Sequence, residues 1–149
     1  MTDTNLNLFT YGTLQIPEVM QVITGKSIPS IDAVLNGYGN YSIRDEIYPA
    51  IIPQADASVS GRLYSGLDQS ILRILDDFED VIYNRLDCVV KTAGNALINA
   101  QVYVISDAYR FLLSDKPWSM EKFRNHNLEK YIERHKKFLN KYIERTISD

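Results

Sequence analysis

The sequence predicts a single α+β domain with a mostly antiparallel sheet that can close into a barrel. Strand-like segments come first, one short helix is inserted among them, a hairpin follows, and a long helical segment ends the chain. The 149 residues are enough for one hydrophobic core. We find no internal repeat, low-complexity tract or shift in composition, so residues 1–149 are expected to form one domain.

The first half of the chain alternates strand patterns with turn signals. Residues 5–11 (NLNLFTY) are the first predicted strand, and residues 12–14 are a loop with a glycine at the bend. Residues 17–25 predict a helix, because proline fits the first helical turn and glycine fits just past the end. The proline-bracketed run 48–53 (YPAIIP) predicts an edge strand or an extended loop, and alternation over 59–64 predicts another strand.

Residues 68–85 (DQSILRILDDFEDVIYNR) are the most informative stretch of the chain. Asp68 fits a helix N-cap, and an apolar stripe follows at helical spacing. Four acids then gather at the end of this helix, where the helix dipole already places partial negative charge, namely Asp76, Asp77, Glu79 and Asp80. Like charges raise one another's pKa, so one of these carboxyls is a candidate general base. A solvated acidic surface is the alternative.

The second half of the chain predicts one hairpin and one long helix. Alternation over residues 86–91 and a return run over 96–105 give the clearest hairpin, with Cys88 as a buried structural thiol. From about residue 119 to 146, apolar residues at helical spacing predict an amphipathic C-terminal helix. His135 lies on its apolar stripe, where a hydrogen-bonded core histidine is expected.

Composition and charge argue against several classes of protein. The formal net charge is −3, no apolar run has the length of a membrane span, and no basic-then-apolar leader is present. With a single cysteine, an internal disulfide is excluded. We therefore expect a cytoplasmic protein without a membrane partner. Half of the basic residues follow residue 120, but their helical spacing is typical of a solvated helix face, so we expect no nucleic-acid partner.

The sequence lacks the motifs of most cofactor and nucleophile chemistry. His126 and His135 are nine residues apart, not the four that place two metal ligands on one helix face. No glycine-rich phosphate loop and no nucleophile elbow occurs. What remains is the loop at 12–14, whose backbone amides can bind an anion, and a carboxylate at a helix end. The ten tyrosines could also supply uncharged hydroxyl donors.

Several blocks of the chain resemble the gamma-glutamylcyclotransferase-like superfamily, in particular its plant avirulence-induced-gene-like and gamma-glutamylamine cyclotransferase-like branch. Residues 11–14 (YGTL) match its Y-G-[ST]-L signature directly after an opening strand. Residues 48–53 (YPAIIP), 59–64 (VSGRLY) and 75–85 (LDDFEDVIYNR) resemble further blocks in the family's order, and 100–103 (AQVY) resembles a later strand. The C-terminal segment matches much less clearly, so no substrate-specific feature is carried over there.

The resemblance implies a fold and a site. The fold would be a small closed β-barrel, mixed but mostly antiparallel, with surrounding helices and a cavity at the barrel mouth. Glu79 would be the general acid and base, the amides of the 11–14 loop would hold the substrate's α-carboxylate, and Arg85 would order the acidic turn. The residues implied in substrate binding are Tyr11, Gly12, Thr13, Leu14, Tyr83 and Tyr103.

The implied reaction is intramolecular. The α-amine of a γ-glutamyl group attacks its own γ-carbonyl, which releases 5-oxoproline and a free amine. The resemblance implies a small-molecule γ-glutamyl substrate, no metal or organic cofactor, and a monomer or weak homodimer.

Two other interpretations stay open on the sequence. One is a non-catalytic module that binds a small ligand on the same fold, with Glu79 as a salt-bridged surface acid. The other is an enzyme for a different γ-glutamyl amide, such as a γ-glutamyl-modified protein lysine or an antibiotic precursor. The first is distinguished by whether Glu79 faces a concave pocket beside the 11–14 loop.

Overall fold

Six strands and four helices make up the computed structural model, which describes residues 6–79 and 81–140. The strands are β1 (Leu6–Thr10), β2 (Ser30–Ile43), β3 (Pro49–Leu67), β4 (Tyr83–Lys91), β5 (Leu97–Ile105) and β6 (Leu113–Pro117). The helices are α1 (Pro17–Thr24), α2 (Gln69–Phe78), α3 (Met120–His126) and α4 (Leu128–His135). None of these described helices is long and apolar enough to span a membrane.

Five of the strands close into a barrel. Neighbouring strands follow the order β3-β1-β5-β4-β2, and β2 pairs again with β3. β1 and β5 are parallel, and the other described pairs are antiparallel. β6 extends the sheet by pairing with the second half of β2. The structure thus confirms the mixed, mostly antiparallel closed barrel that the sequence and the resemblance predicted.

The β2–β3 hairpin is long and bends in the middle. Its register shifts between Asn36 and Tyr38, at Gly37, whose φ of +84° is in the left-handed region that favours glycine. Before the bend the hairpin forms part of the barrel, and beyond it residues 38–42 pair with residues 49–53. Among the described pairs, this start of β3 is bonded only to β2, as an edge strand would be.

Alternation along the strands buries both faces of the sheet. Phe9, Leu63 and Val102 pack together inside the barrel. Their neighbours Leu8 and Tyr64 point the other way, into a second core that the helices cover. The barrel interior and the helix layer therefore share the same strands, and residues at strand ends lie where the two cores meet.

α2 begins after the N-cap that the sequence predicted. The Asp68 carboxylate accepts a hydrogen bond from the Ile71 amide at 2.9 Å, which caps the helix. The buried residues Leu72 and Leu75 face the helix-layer core. The helix stops at Phe78, and Glu79 has an extended backbone, with φ −68° and ψ 137°. Glu79 is thus the point at which the chain leaves α2 toward β4.

The predicted single C-terminal helix is wrong. The chain forms α3 and α4, which are separated at Asn127, where φ is −127° and ψ is −18°. Asparagine is a weak helix former because its side chain competes for the backbone hydrogen bonds. The break lets Phe123 and Tyr131 pack against each other, with ring centroids 5.2 Å apart. α4 ends at His135, and residues 141–146 of the predicted helix lie outside the described residues.

Candidate active site

A cavity of about 340 Å³ opens where β1, α2, β4 and α4 approach one another. It joins the end of β1, the C-terminal end of α2 and the start of β4. The seven residues that the sequence placed in the site all line it, namely Tyr11, Gly12, Thr13, Leu14, Glu79, Tyr83 and Tyr103. The structure therefore brings the 11–14 loop and Glu79, about 65 residues apart in sequence, to one pocket. The roles of these residues stay predictions.

Gly12 lies too close to the β3 chain for any side chain to fit. A Cβ atom at this position would lie 2.9 Å from Cδ of Pro49, which is tighter than real Cβ contacts. Pro49 belongs to the YPAIIP block and also lines the cavity. The block at residues 11–14 thus contacts the block at residues 48–53, and Pro49 leaves room only for a glycine at position 12.

The loop after Gly12 is a short 3-10 turn whose first backbone amides have no hydrogen-bond acceptor inside the turn. The amide of Gln15 donates to the Gly12 carbonyl at 3.2 Å, and the next amide along the chain donates to the Thr13 carbonyl. The amides of Thr13 and Leu14 therefore have no acceptor within the turn itself. Both residues line the cavity. Such amides are suited to an anionic group of a ligand.

Glu79 is half-buried and lies among tyrosines. Burial raises the pKa of Tyr11 well above its ordinary value, and the Glu79 charge raises it further. Burial likewise raises the pKa of Tyr83, with contributions from the Tyr11 hydroxyl and the Glu79 carboxylate. The Glu79 charge also acts on Tyr103 and Tyr131. Glu79 thus lines the same cavity as four phenols, all of which stay protonated at neutral pH.

Three of the tyrosine hydroxyls already donate to acceptors of the protein. Tyr11 donates to the Tyr103 carbonyl at 2.6 Å, and Tyr83 donates to the Pro49 carbonyl at 2.6 Å. Tyr103 donates to Oδ1 of Asp76 at 2.7 Å. The sequence suggested that tyrosines could be hydroxyl donors to a ligand, but these three hydroxyls already donate their protons to protein oxygens.

The acids near Glu79 have different surroundings. Asp76 is held by Arg85, whose Nε and Nη2 lie 2.9 and 3.0 Å from the two carboxylate oxygens. Arg85 also donates to the side chain of Gln101. Asp77 is exposed, and Asp80 lies outside the described residues. Among the described acids of this cluster, Glu79 is the one that lines the cavity.

Sequence reasoning missed the contribution of α4. Tyr131, Arg134 and His135 line the cavity from this helix. We expected His135 to be a core histidine, but it lies in the cavity wall, with its ring 5.1 Å from that of Phe78. Burial and the neighbouring Arg134 charge lower the pKa of His135, so the ring is neutral at neutral pH. No local signal marks these residues, because their position depends on how α4 packs.

The start of β3 and the residues before it also contribute to the cavity wall. Glu46, Tyr48 and Pro49 line the cavity there. Tyr48 and Pro49 belong to the YPAIIP block at residues 48–53, which carries the family resemblance but no implied role. Glu46 is exposed, and nothing in the local pattern of the sequence identifies it.

Fold and site together define a class of protein: a closed barrel with a cavity that joins a loop of backbone amides to a carboxylate at a helix end. The family model described as gamma-glutamyl cyclotransferase, AIG2-like, matches residues 8–125. AIG2-like protein C of Arabidopsis thaliana is 33% identical over 138 residues, which cover 89% of this chain and 77% of that protein. The chain belongs to the gamma-glutamyl cyclotransferase, AIG2-like family.

Solved structures share the fold of this chain. A solution structure from Arabidopsis thaliana has a TM-score of 0.69 and 27% identity, and the match covers 93% of this chain and 85% of that one. A structure named gamma-glutamyl cyclotransferase shares the fold, with a TM-score of 0.64, 18% identity, and coverage of 89% and 86%. The family match ends at residue 125, so the cavity residues of α4 lie beyond it.

Proposed function

We propose that the protein is a gamma-glutamyl cyclotransferase-like enzyme that releases 5-oxoproline and a free amine from a γ-glutamyl amide, with Glu79 as general acid and base. The observation that carries the proposal is the shared cavity of Glu79 and the 11–14 loop. A surface acid on a non-catalytic module would not require this placement. The cavity volume of about 340 Å³ supports a small-molecule substrate.

The reaction needs one group that can accept and return a proton. The substrate's α-ammonium is not nucleophilic, so Glu79 first removes one of its protons. The amine nitrogen then attacks the γ-carbon, a carbon–nitrogen bond closes the five-membered ring, and the bond to the departing nitrogen breaks. Glu79 gives the first proton to that nitrogen as the bond breaks. The carboxylate then takes the second proton from the ring nitrogen, which is neutral in 5-oxoproline, and passes it to the released amine. Acid–base help of this kind is typically worth ~10²–10⁴-fold in rate.

The 11–14 loop supplies the complementary part of the site. The Thr13 and Leu14 amides, which have no acceptor within their turn, would hold the α-carboxylate. Anchoring that group fixes the α-amine near the γ-carbonyl, and such orientation lowers the entropic part of the barrier. No step of this reaction consumes water or a cofactor.

The test is a screen of γ-glutamyl compounds for 5-oxoproline release by the wild type and by Glu79→Gln. The glutamine side chain keeps the shape but cannot transfer a proton, so turnover should fall at least ~10²-fold while the melting temperature changes little. Asp77→Asn is the matched control, since it removes a neighbouring exposed carboxylate outside the cavity and should keep wild-type turnover. Near-normal turnover in Glu79→Gln, together with an inactive Asp76→Asn or Asp80→Asn, would move the catalytic role to another acid.

A further inference from the structure

Gln15 directly follows the 11–14 loop and holds two of its carbonyl groups. Its side-chain Nε2 donates to the Tyr11 carbonyl at 2.8 Å, and its backbone amide donates to the Gly12 carbonyl at 3.2 Å. Asn40 also approaches the Tyr11 carbonyl, with Nδ2 3.4 Å away. That distance lies beyond the usual range of about 2.7–3.2 Å for such a bond, so Gln15 is the stronger of these two side-chain donors.

The other carbonyls of the loop are held as well. The Ile16 amide donates to the Thr13 carbonyl at 3.1 Å. The hydroxyl of Tyr64, a fully buried side chain, donates to the Leu14 carbonyl at 2.8 Å. Each carbonyl from residue 11 to residue 14 therefore points toward a donor of the protein.

The direction of each carbonyl fixes the direction of the amide that follows it. No cis peptide bond occurs among the described residues, and in a planar trans peptide the N–H points opposite to the C=O. The bonded Tyr11 carbonyl therefore turns the Gly12 amide away from the Gln15 side chain. In the same way, the next two bonded carbonyls turn the amides of Thr13 and Leu14 away from their donors. All three amides belong to residues that line the cavity.

The Gln15 side chain acts from outside this cavity. It lines a separate, open groove together with Pro17 and Arg62. It is not among the described residues that line the candidate active site. A ligand in the cavity can therefore meet the backbone of Gly12 without touching Gln15.

We propose that Gln15 is a positioning residue, whose side-chain amide holds the Tyr11 carbonyl so that the Gly12 amide donates to an anionic group of the ligand. The identity of this group as the α-carboxylate of a γ-glutamyl compound rests on the proposed function. Gly12 suits this task, because no side chain of its own stands between its amide and the ligand. Gln15 neither contacts the ligand nor transfers a proton.

The first test follows the Gly12 amide of the wild-type protein by NMR. L-Methionine sulfone carries an α-carboxylate, and it cannot cyclise because its sulfone replaces the γ-carbonyl. Its decarboxylated counterpart, 3-(methylsulfonyl)propan-1-amine, is the matched ligand without that group. Methionine sulfone should move the Gly12 amide proton downfield, as a new bond to a carboxylate requires, and the counterpart should not. Equal shifts with both ligands, an unmoved Gly12 amide, or no binding of methionine sulfone would overturn the proposal.

The second test removes the N–H donor of the Gln15 side chain. Methionine has nearly the shape of glutamine but no N–H, so Gln15→Met should raise the Kd of methionine sulfone roughly 3- to 10-fold, the worth of one hydrogen bond. The Kd of the decarboxylated ligand should not change. Gln54→Met is the matched control, since Gln54 is exposed and bonds Tyr41 outside the cavity, and it should leave both Kd values unchanged. Calorimetry measures all of these values.

The selectivity for the carboxylate distinguishes positioning from a merely structural role. A structural role would lower the melting temperature and weaken both ligands alike. Equal weakening of both ligands by Gln15→Met, or no effect on either, would therefore contradict the proposal. If Gln15→Met does not fold, Gln15→Leu, which is also neutral and has no side-chain N–H, takes its place. If neither variant folds, the wild-type spectra decide.

These outcomes separate the two proposals. If no γ-glutamyl compound releases 5-oxoproline but the selectivity for the carboxylate depends on Gln15, the proposed enzyme is wrong and the positioning role stands. If turnover depends on Glu79 but Gln15→Met leaves that selectivity unchanged, the positioning role is wrong and the enzyme stands.

Discussion

At the scale of single residues, Asp76 and Glu79 belong to one acidic cluster but have different surroundings. Asp76 lies one helical turn before Glu79, and Arg85 and Tyr103 bind its carboxylate. Glu79 instead lines the cavity. The Asp76–Arg85 pair joins the end of α2 to β4, which fixes the point where the chain leaves the helix. Arg85 therefore contacts the helical end of the acidic turn, and its ordering of that turn, which the resemblance implied, stays a prediction.

Removing Arg85 should cost more stability than removing an arginine of a surface pair. Arg85 is 24% exposed and Asp76 is 40% exposed. Arg85→Ala should lower the free energy of unfolding by about 1–3 kcal/mol, because a two-pronged charged hydrogen bond is lost. Arg110→Ala is the control, since its partner Asp107 is 92% exposed, and this change should cost under about 1 kcal/mol. Urea unfolding measures both values, and equal losses would show that the Asp76 pair is an ordinary surface contact.

At the scale of elements, the placement of α4 depends on aromatic contacts with the end of α2. The Phe78 ring lies edge-on to the rings of His135 and Phe138, with centroids 5.1 and 5.4 Å apart. It also meets Tyr131 at 6.5 Å. Phe78 directly precedes Glu79, so the same contacts hold one wall of the cavity against the proposed base.

Phe78→Leu tests this docking. Leucine keeps an apolar side chain but removes the edge-to-face contacts, each worth about 0.5–1.5 kcal/mol, so stability should fall by roughly 1–3 kcal/mol. The affinity of the cavity for a γ-glutamyl compound should fall as well, because α4 would no longer be held at the cavity. Phe111→Leu is the matched control, since Phe111 is 69% exposed and its replacement should change neither quantity. A wild-type melting temperature and ligand affinity in Phe78→Leu would rule out the docking role.

At the scale of the whole molecule, buried tyrosines link stability to high pH. Burial raises the pKa of Tyr64 to about 12, and the Tyr64 hydroxyl donates to the Leu14 carbonyl at 2.8 Å. The pKa values of Tyr11, Tyr83 and Tyr103 are raised as well, chiefly by burial. In the unfolded chain these phenols would titrate near the ordinary value of about 10.

The folded protein should therefore lose stability as the pH rises above about 10. From there to about pH 12 the unfolded chain has released protons that the folded chain keeps. The unfolded state thus binds fewer protons, and the free energy of unfolding falls by up to about 1.4 kcal/mol per pH unit for each such tyrosine. Urea titrations at pH 8 to 11, with phenolate absorbance, measure the slope. Tyr64→Phe should make it shallower, and a constant free energy up to pH 11 would contradict the prediction.

The sequence by itself determined the elements whose signals are local. Asp68 caps α2 through a bond to a residue three positions away, and the hairpin of β4 and β5 follows from alternation on either side of a turn. The same local reading, together with the family resemblance, named Glu79 and the 11–14 loop. These residues are recognisable because each belongs to a short block with its own pattern.

Only the tertiary structure decided what depends on contacts between distant segments. The cavity forms because β1 and α2 end and β4 begins at one place in the fold, and Gly12 is required there by Pro49, 37 positions later. The entry of His135 into the cavity wall and the acceptors of the tyrosine hydroxyls depend on partners far away in sequence. Helical periodicity placed His135 on an apolar face, but it could not say that this face borders a cavity. Periodicity records which side of a helix is buried, whereas packing decides what that side meets.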